Sequence, residues 1–388
     1  MKNTLLLFLL YSVSLSAQVI YVNQSATGLD NGSNWNNAFV DLQDAILLSH
    51  TGDEIWLANG VYTPVPAGSY TPFSSERGIS FIVNSISLYG GFIGDMSETS
   101  IDDRNLNDFK NLQTISSGDI NMDDTIVGTD ENTSQVIRCS GNFILDGIAI
   151  VSGYASIMNK TNGGGIYIDS GNGIISNCYF LNNRSTGNGG AIRIGSEAIV
   201  EINRCMFFGN YSYEAGAIYT QGIYTKIINS VFNNNHSTVR GGALRSFDNS
   251  MISSCCFFYN SSDDLGGALS LENSSKLFNS IILYSDSARS AIRTSTNSIV
   301  CNNLIAYNIS DNVSYSGIHL DSTRLTNNTI RYNIAAGQAS NISKSDGANP
   351  TILNSNIEQD STNAWVFNEP SNFDLEPLFV DVSSSDFH

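Results

Sequence analysis

Two short motifs recur along this chain about every 25 residues, and this period restricts the possible folds more than any other feature. Gly-Gly-Ala-Ile, or a close variant of it, begins at residues 189, 215, 241 and 266. Phe-x-x-Asn begins at residues 180, 207, 232 and 257. A repeat of this length is typical of a solenoid, in which each repeat forms one turn and contacts only its neighbours.

Three apolar columns run through the repeats, and residues beside each column alternate between apolar and polar, as in strands with one buried face. The first column contains Ile166, Ile192, Ile218, Leu244, Leu269, Ile292, Ile318 and Ile342. The second contains Ile175, Ile202, Ile227, Ile252, Leu277, Val300 and Leu325. The third contains Phe180, Phe207, Phe232, Phe257, Ile282, Ile305 and Ile330. The pattern predicts an all-β fold, a single-stranded right-handed parallel β-helix with three strands per coil and about nine or ten coils.

Asparagine marks two corners of each predicted coil. One set lies between the second and third columns, where the alternation changes phase: Asn177, Asn229, Asn279, Asn302 and Asn327. Asparagine tolerates the left-handed backbone that such a bend requires. The other set closes the third strand: Asn183, Asn210, Asn235, Asn260, Asn308 and Asn333, with Ser285 as the exception. We interpret both sets as structural, the second as a ladder of stacked amides.

The composition supports this fold and excludes one class of partner. The chain contains 46 asparagines, whereas Asp, Glu, Lys and Arg make up only 14% of it. Its formal net charge is −18. Nucleic-acid binding requires clustered lysine and arginine, so we expect no nucleic-acid partner.

The two ends of the chain differ from the repeats. Residues 1–17 have the pattern of a signal peptide, with Lys2 before a short apolar run and Ala17 at the expected cleavage site, which predicts export. No later stretch is long enough to span a membrane as a helix. Residues 18–125 are expected to form an N-terminal cap and irregular first coils, with an amphipathic helix over 38–48 and strands over 53–62 and 79–92. The repeat array then occupies 126–388 and reads as truncated at His388.

The six cysteines follow the repeat instead of a zinc or disulfide spacing. Cys178, Cys205 and Cys255 share one repeat position with Ser230 and Ser280. Side chains that stack in parallel fit the disulfide torsion poorly, so we expect buried thiols over a bridge between Cys178 and Cys205.

One outward-facing column is the candidate binding site. It directly follows the first apolar column and contains Tyr167, Arg193, Tyr219, Arg245, Ser270, Arg293 and His319. Aromatic faces can pack on sugar rings and guanidinium groups can bind carboxylates or sulfates, so we hypothesise a groove for an acidic or neutral glycan. The structural alternative is a ladder of cross-strand pairs that only stabilises an exposed sheet.

No catalytic or metal site emerges from the remaining residues. The adjacent acids Asp102-Asp103, Asp123-Asp124 and Asp263-Asp264 lie in predicted loops or turns, and the four histidines occupy unrelated positions. A β-helix lyase needs a carboxylate cluster for Ca²⁺ and a basic residue, and a hydrolase needs two or three converging carboxylates. We therefore expect no catalytic residues, no metal and no cofactor.

The repeat motifs resemble those of chlamydial polymorphic outer membrane proteins. The opening segment, with Tyr21-Val22-Asn23, Trp35 and Leu42-Gln43-Asp44-Ala45, resembles secreted right-handed β-helix proteins common in Bacteroidetes, as do segments 52–62 and 88–92. The resemblance implies a pectate-lyase-like β-helix in a secreted or surface-exposed protein, often an adhesin. Family members continue into an autotransporter barrel or a sorting domain. Segment 376–381 resembles their final coil.

These observations favour an exported β-helix protein at the cell surface, with a structural or adhesive role, a glycan as partner and no catalysis of its own. A polysaccharide lyase or glycoside hydrolase of the same fold is one alternative. A fragment of a larger adhesin is the other.

Overall fold

The computed structural model describes residues 17–65, 75–106, 113–122, 124, 132–157, 160–312, 317–359, 366 and 370–375. These residues form an all-β parallel solenoid with very little helix, as the repeat predicted. The first sheet contains the strands Val19–Val22, Glu54–Ala58, Phe81–Asn84, Ser87–Phe92, Ile137–Ser140, Phe143–Asp146, Ile166–Ser176, Ile192–Asn203, Ile218–Thr220, Tyr224–Ile228, Leu244–Ser246, Met251–Ser253, Leu269–Leu271, Lys276–Phe278, Ile292–Thr294, Ile299–Cys301, Ile318–Leu320, Arg324–Thr326, Ile342–Lys344 and Thr351–Leu353.

Two further sheets complete the solenoid. The second sheet contains Gly60–Tyr62, Thr114–Ser117, Ala149–Val151, Tyr179–Leu181, Met206–Phe208, Val231–Asn233, Cys256–Phe258, Ile281–Leu283, Leu304–Ala306, Thr329–Arg331 and Asn356–Ile357. The third sheet contains Tyr154–Ala155, Arg184–Asn188, Tyr211–Glu214, His236–Arg240, Ser261–Ser262, Asp286–Ser287, Ile309–Ser310, Ile334–Ala335 and Gln338–Ala339. The last two strands of the third sheet pair antiparallel, and the other pairs between named strands in the described residues are parallel.

A regular turn contains four strands, one more than the sequence predicted. In one such turn, Ile218–Thr220 and Tyr224–Ile228 belong to the first sheet, Val231–Asn233 to the second and His236–Arg240 to the third. The third-sheet strand has no apolar column, because its inward positions are occupied by small polar residues. These buried residues are Ser185, Ser212, Ser237, Ser262, Ser287 and Ser310. A hydrophobic alternation therefore cannot reveal this strand.

The three predicted apolar columns are confirmed, and all of their members are fully buried. Ile192 pairs with Ile218 and Phe207 with Phe232, one turn apart in register. The rings of Phe180, Phe207, Phe232 and Phe257 stack with 4.7 Å between successive centroids. Burying each phenylalanine contributes about 1.5–3 kcal/mol, so these stacks hold the turns together.

Both asparagine corners also form as predicted. Asn177, Asn229, Asn279, Asn302 and Asn327 all have left-handed φ angles between 48° and 60°. At the other corner the amides form a buried ladder. The backbone N–H and the Nδ2 of Asn210 both donate to Oδ1 of Asn235, at 3.1 and 2.9 Å, and Asn235 donates in the same way to Asn260. Ser285 interrupts this ladder, since its side chain cannot repeat the amide contacts.

The number of turns is close to the predicted nine or ten. Nine second-sheet strands stack from Ala149–Val151 to Asn356–Ile357, so this part of the described array contains about eight complete turns. The second-sheet strands Gly60–Tyr62 and Thr114–Ser117 extend the stack towards the N-terminus in the same register.

The N-terminal segment joins the same sheets. Its α-helix spans Leu42–Leu48, shorter than the predicted 38–48, because the side chain of Asp41 accepts a hydrogen bond from the N–H of Gln43 and caps the helix there. The helix packs against Val19–Val22 and Phe81–Asn84. Each of the two predicted strands is divided in two, into Glu54–Ala58 and Gly60–Tyr62 and into Phe81–Asn84 and Ser87–Phe92.

Three short 3₁₀ helices, Trp35–Asn37, Ser75–Gly78 and Ile101–Asp103, complete the N-terminal segment. In the parts of the chain that the structure describes, no helix has the length and hydropathy of a membrane span. The predicted signal peptide, apart from Ala17, and the expected truncation at His388 lie outside the described residues.

Candidate functional site

The predicted column is continuous on the first sheet, and its neighbouring members are strand partners one turn apart. Arg138 precedes the residues found in the sequence and Ser343 follows them. In order, the column contains Arg138, Tyr167, Arg193, Tyr219, Arg245, Ser270, Arg293, His319 and Ser343. We call it the arginine–tyrosine column.

Arginine side chains in this column lie over the tyrosine rings of adjacent turns. The Cζ atom of Arg138 is 5.1 Å from the ring centroid of Tyr167. For Tyr219 the corresponding distances are 4.8 Å to Arg193 and 5.7 Å to Arg245. A cation over a ring face at this distance contributes about 0.5–1 kcal/mol at an exposed site and more when desolvated.

Each arginine also binds an acceptor on the following turn, two residues beyond the column. Arg138 forms a two-pronged pair with Asp169, with 2.7 Å between Nε and Oδ2 and 2.8 Å between Nη2 and Oδ1. The hydrogen bond to Asp169 is the main reason why the pKa of Arg138 is raised. The other pairs are Arg193–Gln221, Arg245–Glu272 and Arg293–Asp321. Arg245 additionally binds Glu214.

This arrangement has a period of two turns, and its acceptors were not identified from the sequence. Arginine occupies alternate positions of the column, and the acceptor lies on the intervening turn. Adjacent turns are about 4.8 Å apart, a distance at which two like charges directly opposite each other are destabilising. The signal was present in the sequence as Asp169, Gln221, Glu272 and Asp321, but it appears only when every second repeat is compared.

Arg193 is the exception in this pattern because its acceptor is an amide. Its Nη2 donates to Oε1 of Gln221 at 2.7 Å, and no carboxylate in the described residues forms an ion pair with it. Burial lowers the pKa of Arg193. The guanidinium lies on the turn between those of Tyr167 and Tyr219, which are its strand partners. This arginine therefore has an aromatic environment and an unneutralised positive charge.

The column is less exposed than a free sheet face. Tyr219 is 5% exposed, Arg245 9% and His319 7%. Phe247, on the loop after the strand of Arg245, shields both Arg245 and Tyr219 from solvent. The centroid of the Phe247 ring is 4.7 Å from the Arg245 Cζ and 5.5 Å from the Tyr219 ring centroid. Arg138, Tyr167 and Arg193 are partly buried and adjacent in the column, whereas Arg293 is a partly buried member between better buried neighbours, so the longest accessible stretch of the column lies towards its N-terminal end.

His319 does not extend the positive charge of the column. Burial, followed by the nearby Arg293, lowers its pKa to about 4. Its Nδ1 lies 2.9 Å from Oγ of Ser343 and its Nε2 3.1 Å from Oγ of Ser345. The imidazole is therefore neutral at neutral pH and acts as a hydrogen-bonding member of the column.

The cysteines are free thiols in the structure. Cys178, Cys205 and Cys255 are buried in the corner between the first and second sheets, in the repeat position predicted. Burial raises the pKa of the Cys178 thiol and raises that of Cys255 to about 12. A buried thiol with a raised pKa is a poor nucleophile, so these side chains act as small packing residues.

The acidic pairs considered as cation ligands have other contacts. Asp103 caps the short helix Ile101–Asp103, where its Oδ2 accepts from the N–H groups of Thr99 and Ser100. Asp264 pairs with Arg289 at 2.9 Å, and Asp263 lies 3.5 Å from His236. Among the residues that the structure describes, no group of three or more His, Cys, Asp or Glu could hold a metal ion. Asp123 lies outside them.

Comparisons with known proteins give one family match and a distant structural likeness. The model of the Chlamydia polymorphic membrane protein repeat matches residues 177–195 and 229–246, about a tenth of the chain. Each matched segment contains one Phe-x-x-Asn motif and one Gly-Gly-Ala motif. No curated protein matches the chain. A solved structure described as a rhamnogalacturonan lyase is similar at 14% identity and a TM-score of 0.42, over 87% of each chain.

Proposed function

We propose that this protein is an exported surface rod that binds glycans without cleaving them, and that the N-terminal part of the arginine–tyrosine column is the binding site. The observation that carries the proposal is Arg193, which lacks the carboxylate partner that the other column arginines have. A surface location is supported by the signal-peptide pattern of residues 1–17 and by the match to a membrane-protein repeat.

The local chemistry suits a sugar with a carboxylate or sulfate group. An arginine presents a planar fork of donors to such an anion, and the strand partners Tyr167 and Tyr219 provide ring surface. The net charge of −18 opposes a densely charged polyanion. We therefore place the ligand among glycans in which acidic groups are separated by neutral sugars.

The acids around the column support binding over catalysis. Glu214 and Glu272 both contact Arg245, Asp169 binds Arg138, and Asp321 binds Arg293. A carboxylate whose oxygen atoms are bound by a guanidinium is not available to transfer a proton to or from a substrate. The lyase or hydrolase alternative predicts unsaturated products or new reducing ends after incubation with pectin, alginate or mucin, and the binding proposal predicts neither.

The most direct test is Gln221→Glu, which completes the alternating pattern. The new carboxylate should neutralise Arg193 and stabilise the fold by up to about 1 kcal/mol, while glycan binding should fall at least about tenfold. Arg193→Gln should lose binding to a similar extent. A glycan array followed by calorimetry on the best ligand would measure affinity, and thermal melts would measure stability.

Arg324→Gln is the matched control, because Arg324 is an exposed arginine of the first sheet outside the column. Its binding should equal that of the unmodified protein. Arg245→Gln is unsuitable, since it would leave Glu214 and Glu272 without their cation. Unchanged binding in both Gln221→Glu and Arg193→Gln would reject this site. Failure of the unmodified protein to bind any glycan would reject the function.

A further inference from the structure

A second groove lies on the outer side of the third sheet, on the strands that the apolar columns did not reveal. Its volume is about 250 Å³, and it spans four consecutive turns. On neighbouring strands, the residue opposite Tyr154 is Arg184, the residue opposite Arg184 is Tyr211, and the residue opposite Tyr211 is His236. The lining residues used below are Tyr154, Arg184, Thr186, Tyr211, Tyr213 and Thr238. None of them belongs to the arginine–tyrosine column.

Aromatic rings are unusually accessible here. Tyr211 is 41% exposed and Tyr213 53%, whereas Tyr219 in the arginine–tyrosine column is almost fully buried. The ring of Tyr211 stacks on His236 with 5.2 Å between centroids and 21° between planes. Since His236 is on the following turn, the opposite face of Tyr211 is directed towards the turn of Arg184. An exposed aromatic ring is a suitable surface for the apolar face of a sugar.

Arg184 provides a cation beside these rings. It is exposed, and it forms no ion pair with an acid in the described residues. In the arginine–tyrosine column, three of the four arginines pair with an acid one turn away. The strand partner of Arg184 on the next turn is Tyr211, and no acid occupies that position.

Two threonine hydroxyls complete the groove. Thr186 Oγ1 donates to the carbonyl of Ala155 and Thr238 Oγ1 donates to the carbonyl of Tyr213, both at 3.2 Å. Each hydroxyl hydrogen is thereby used within the protein, and the oxygen atom remains available as an acceptor. A ligand that donates hydroxyl groups can satisfy them.

We infer that this groove is a separate binding site for a single acidic sugar, a pyranose that carries a carboxylate. Its carboxylate binds Arg184, its apolar face packs on Tyr211 and Tyr213, and its hydroxyl groups donate to Thr186 and Thr238. The site goes beyond the proposed function because it uses another sheet and other residues. Two sugar sites on one rigid rod would raise the avidity for a polymer that reaches both.

The test uses the full chain and two small probes, methyl glucuronide and methyl glucoside, with saturation-transfer NMR and titration. The unmodified protein should bind the glucuronide at least about fivefold more tightly than the glucoside. Arg184→Gln should abolish this preference, and Tyr213→Ala should weaken both probes. Tyr224→Ala is the matched control, since Tyr224 is a similarly exposed tyrosine, 37%, that lines a different groove on the first sheet.

The variants also separate this site from the arginine–tyrosine column. Gln221→Glu removes the column site of the proposed function, so the glucuronide preference measured in this variant reports the groove alone. The preference should persist in Gln221→Glu and disappear when Arg184→Gln is added, and its absence in Gln221→Glu would assign the sugar to the column and overturn the inference. Equal affinity for the two probes in the unmodified protein would also overturn it, as would unchanged binding in Arg184→Gln/Tyr213→Ala. Thermal melts of the Arg184, Tyr213 and Tyr224 variants should match that of the unmodified protein, because these side chains are exposed on the sheet surface.

Discussion

The earlier and later turns of the solenoid place their aromatic residues differently. In the earlier turns the third apolar column is phenylalanine, and the corner two residues later is Asn182, Gly209 or Asn234. In the later turns the column changes to Ile282, Ile305 and Ile330, and the same corner becomes Tyr284, Tyr307 and Tyr332. Tyr259 follows Phe257 at the transition. The aromatic side chains are therefore in the interior in the earlier turns and at the surface corner in the later turns.

The backbone at this corner is the same in both regions. Asn182, Gly209 and Asn234 have φ angles from 54° to 66°, and the four tyrosines have φ angles from 54° to 58°. A left-handed backbone costs a tyrosine roughly 1–2 kcal/mol, whereas asparagine and glycine adopt it readily. The tyrosines compensate by stacking on one another, with centroids 4.9–5.6 Å apart. The comparison teaches that side-chain stacking can replace backbone preference at one position of a repeat.

The largest effect is expected inside the earlier turns. Phe232→Asp would place an unpaired carboxylate between the rings of Phe207 and Phe257, and we expect a loss of more than about 4 kcal/mol and the unfolding of several turns. Circular dichroism during a urea titration would measure the loss. Phe232→Leu is the control and should cost about 1–2 kcal/mol. A melt of Phe232→Asp equal to that of the unmodified protein would contradict the stacked core.

A smaller effect on the free energy of unfolding is expected in the later turns, and it depends on pH. The folded-state pKa of His319 is about 4, below the ordinary 6.5, so between these values the unfolded chain binds more protons than the folded one. Stability should fall as the pH decreases from 6.5 through 4, by about 1–2 kcal/mol after allowance for solvent screening. His319→Gln should remove this part of the decrease, measured by urea unfolding at several pH values.

The control for the pH experiment is Arg324→Gln, since arginine keeps its charge over this pH range and Arg324 is exposed on the same sheet. Its pH dependence should match that of the unmodified protein. An identical decrease in His319→Gln and in the unmodified protein would show that other groups cause the acid sensitivity.

The smallest effect tests the corner directly. Tyr284→Asn would relieve the left-handed strain but lose the stacking on Tyr259 and Tyr307, each contact worth about 0.5–1.5 kcal/mol. The two contributions nearly cancel, so we expect a change within about 1 kcal/mol. Tyr284→Ala keeps the strain and loses the stacking, and should be less stable than Tyr284→Asn. The reverse order, by thermal melting, would disprove the proposed compensation.

The sequence was sufficient for the features in which like residues stack on like. The Ile192, Ile202 and Phe207 columns and the asparagine corners were predicted because each turn repeats the same residue type in the same place. The third-sheet strand was missed because its inward residues are serines. Arg184, Tyr211 and Tyr213 are on strands of this third sheet, and the second groove therefore could not be found from apolar alternation.

Exposure of the candidate site was harder to predict than its register. The register of Arg193 and Tyr219 follows from the repeat, but their burial depends on loop residues such as Phe247, which do not repeat. The pairing of Arg245 with Glu272 was missed for a related reason. It recurs every second turn, so a comparison of adjacent repeats shows only differences.

The interruption of the asparagine ladder at Ser285 has a consequence for how the rod comes apart. From Asn183 to Asn260, the Nδ2 of each asparagine donates a hydrogen bond to Oδ1 of the asparagine on the next turn. A second chain of the same kind runs from Asn308 to Asn341. Hydrogen bonds in a continuous chain polarise and reinforce one another, so each segment should open as a unit. Pulling the solenoid from its two ends would then release two cooperative blocks in sequence, with the boundary at the single serine.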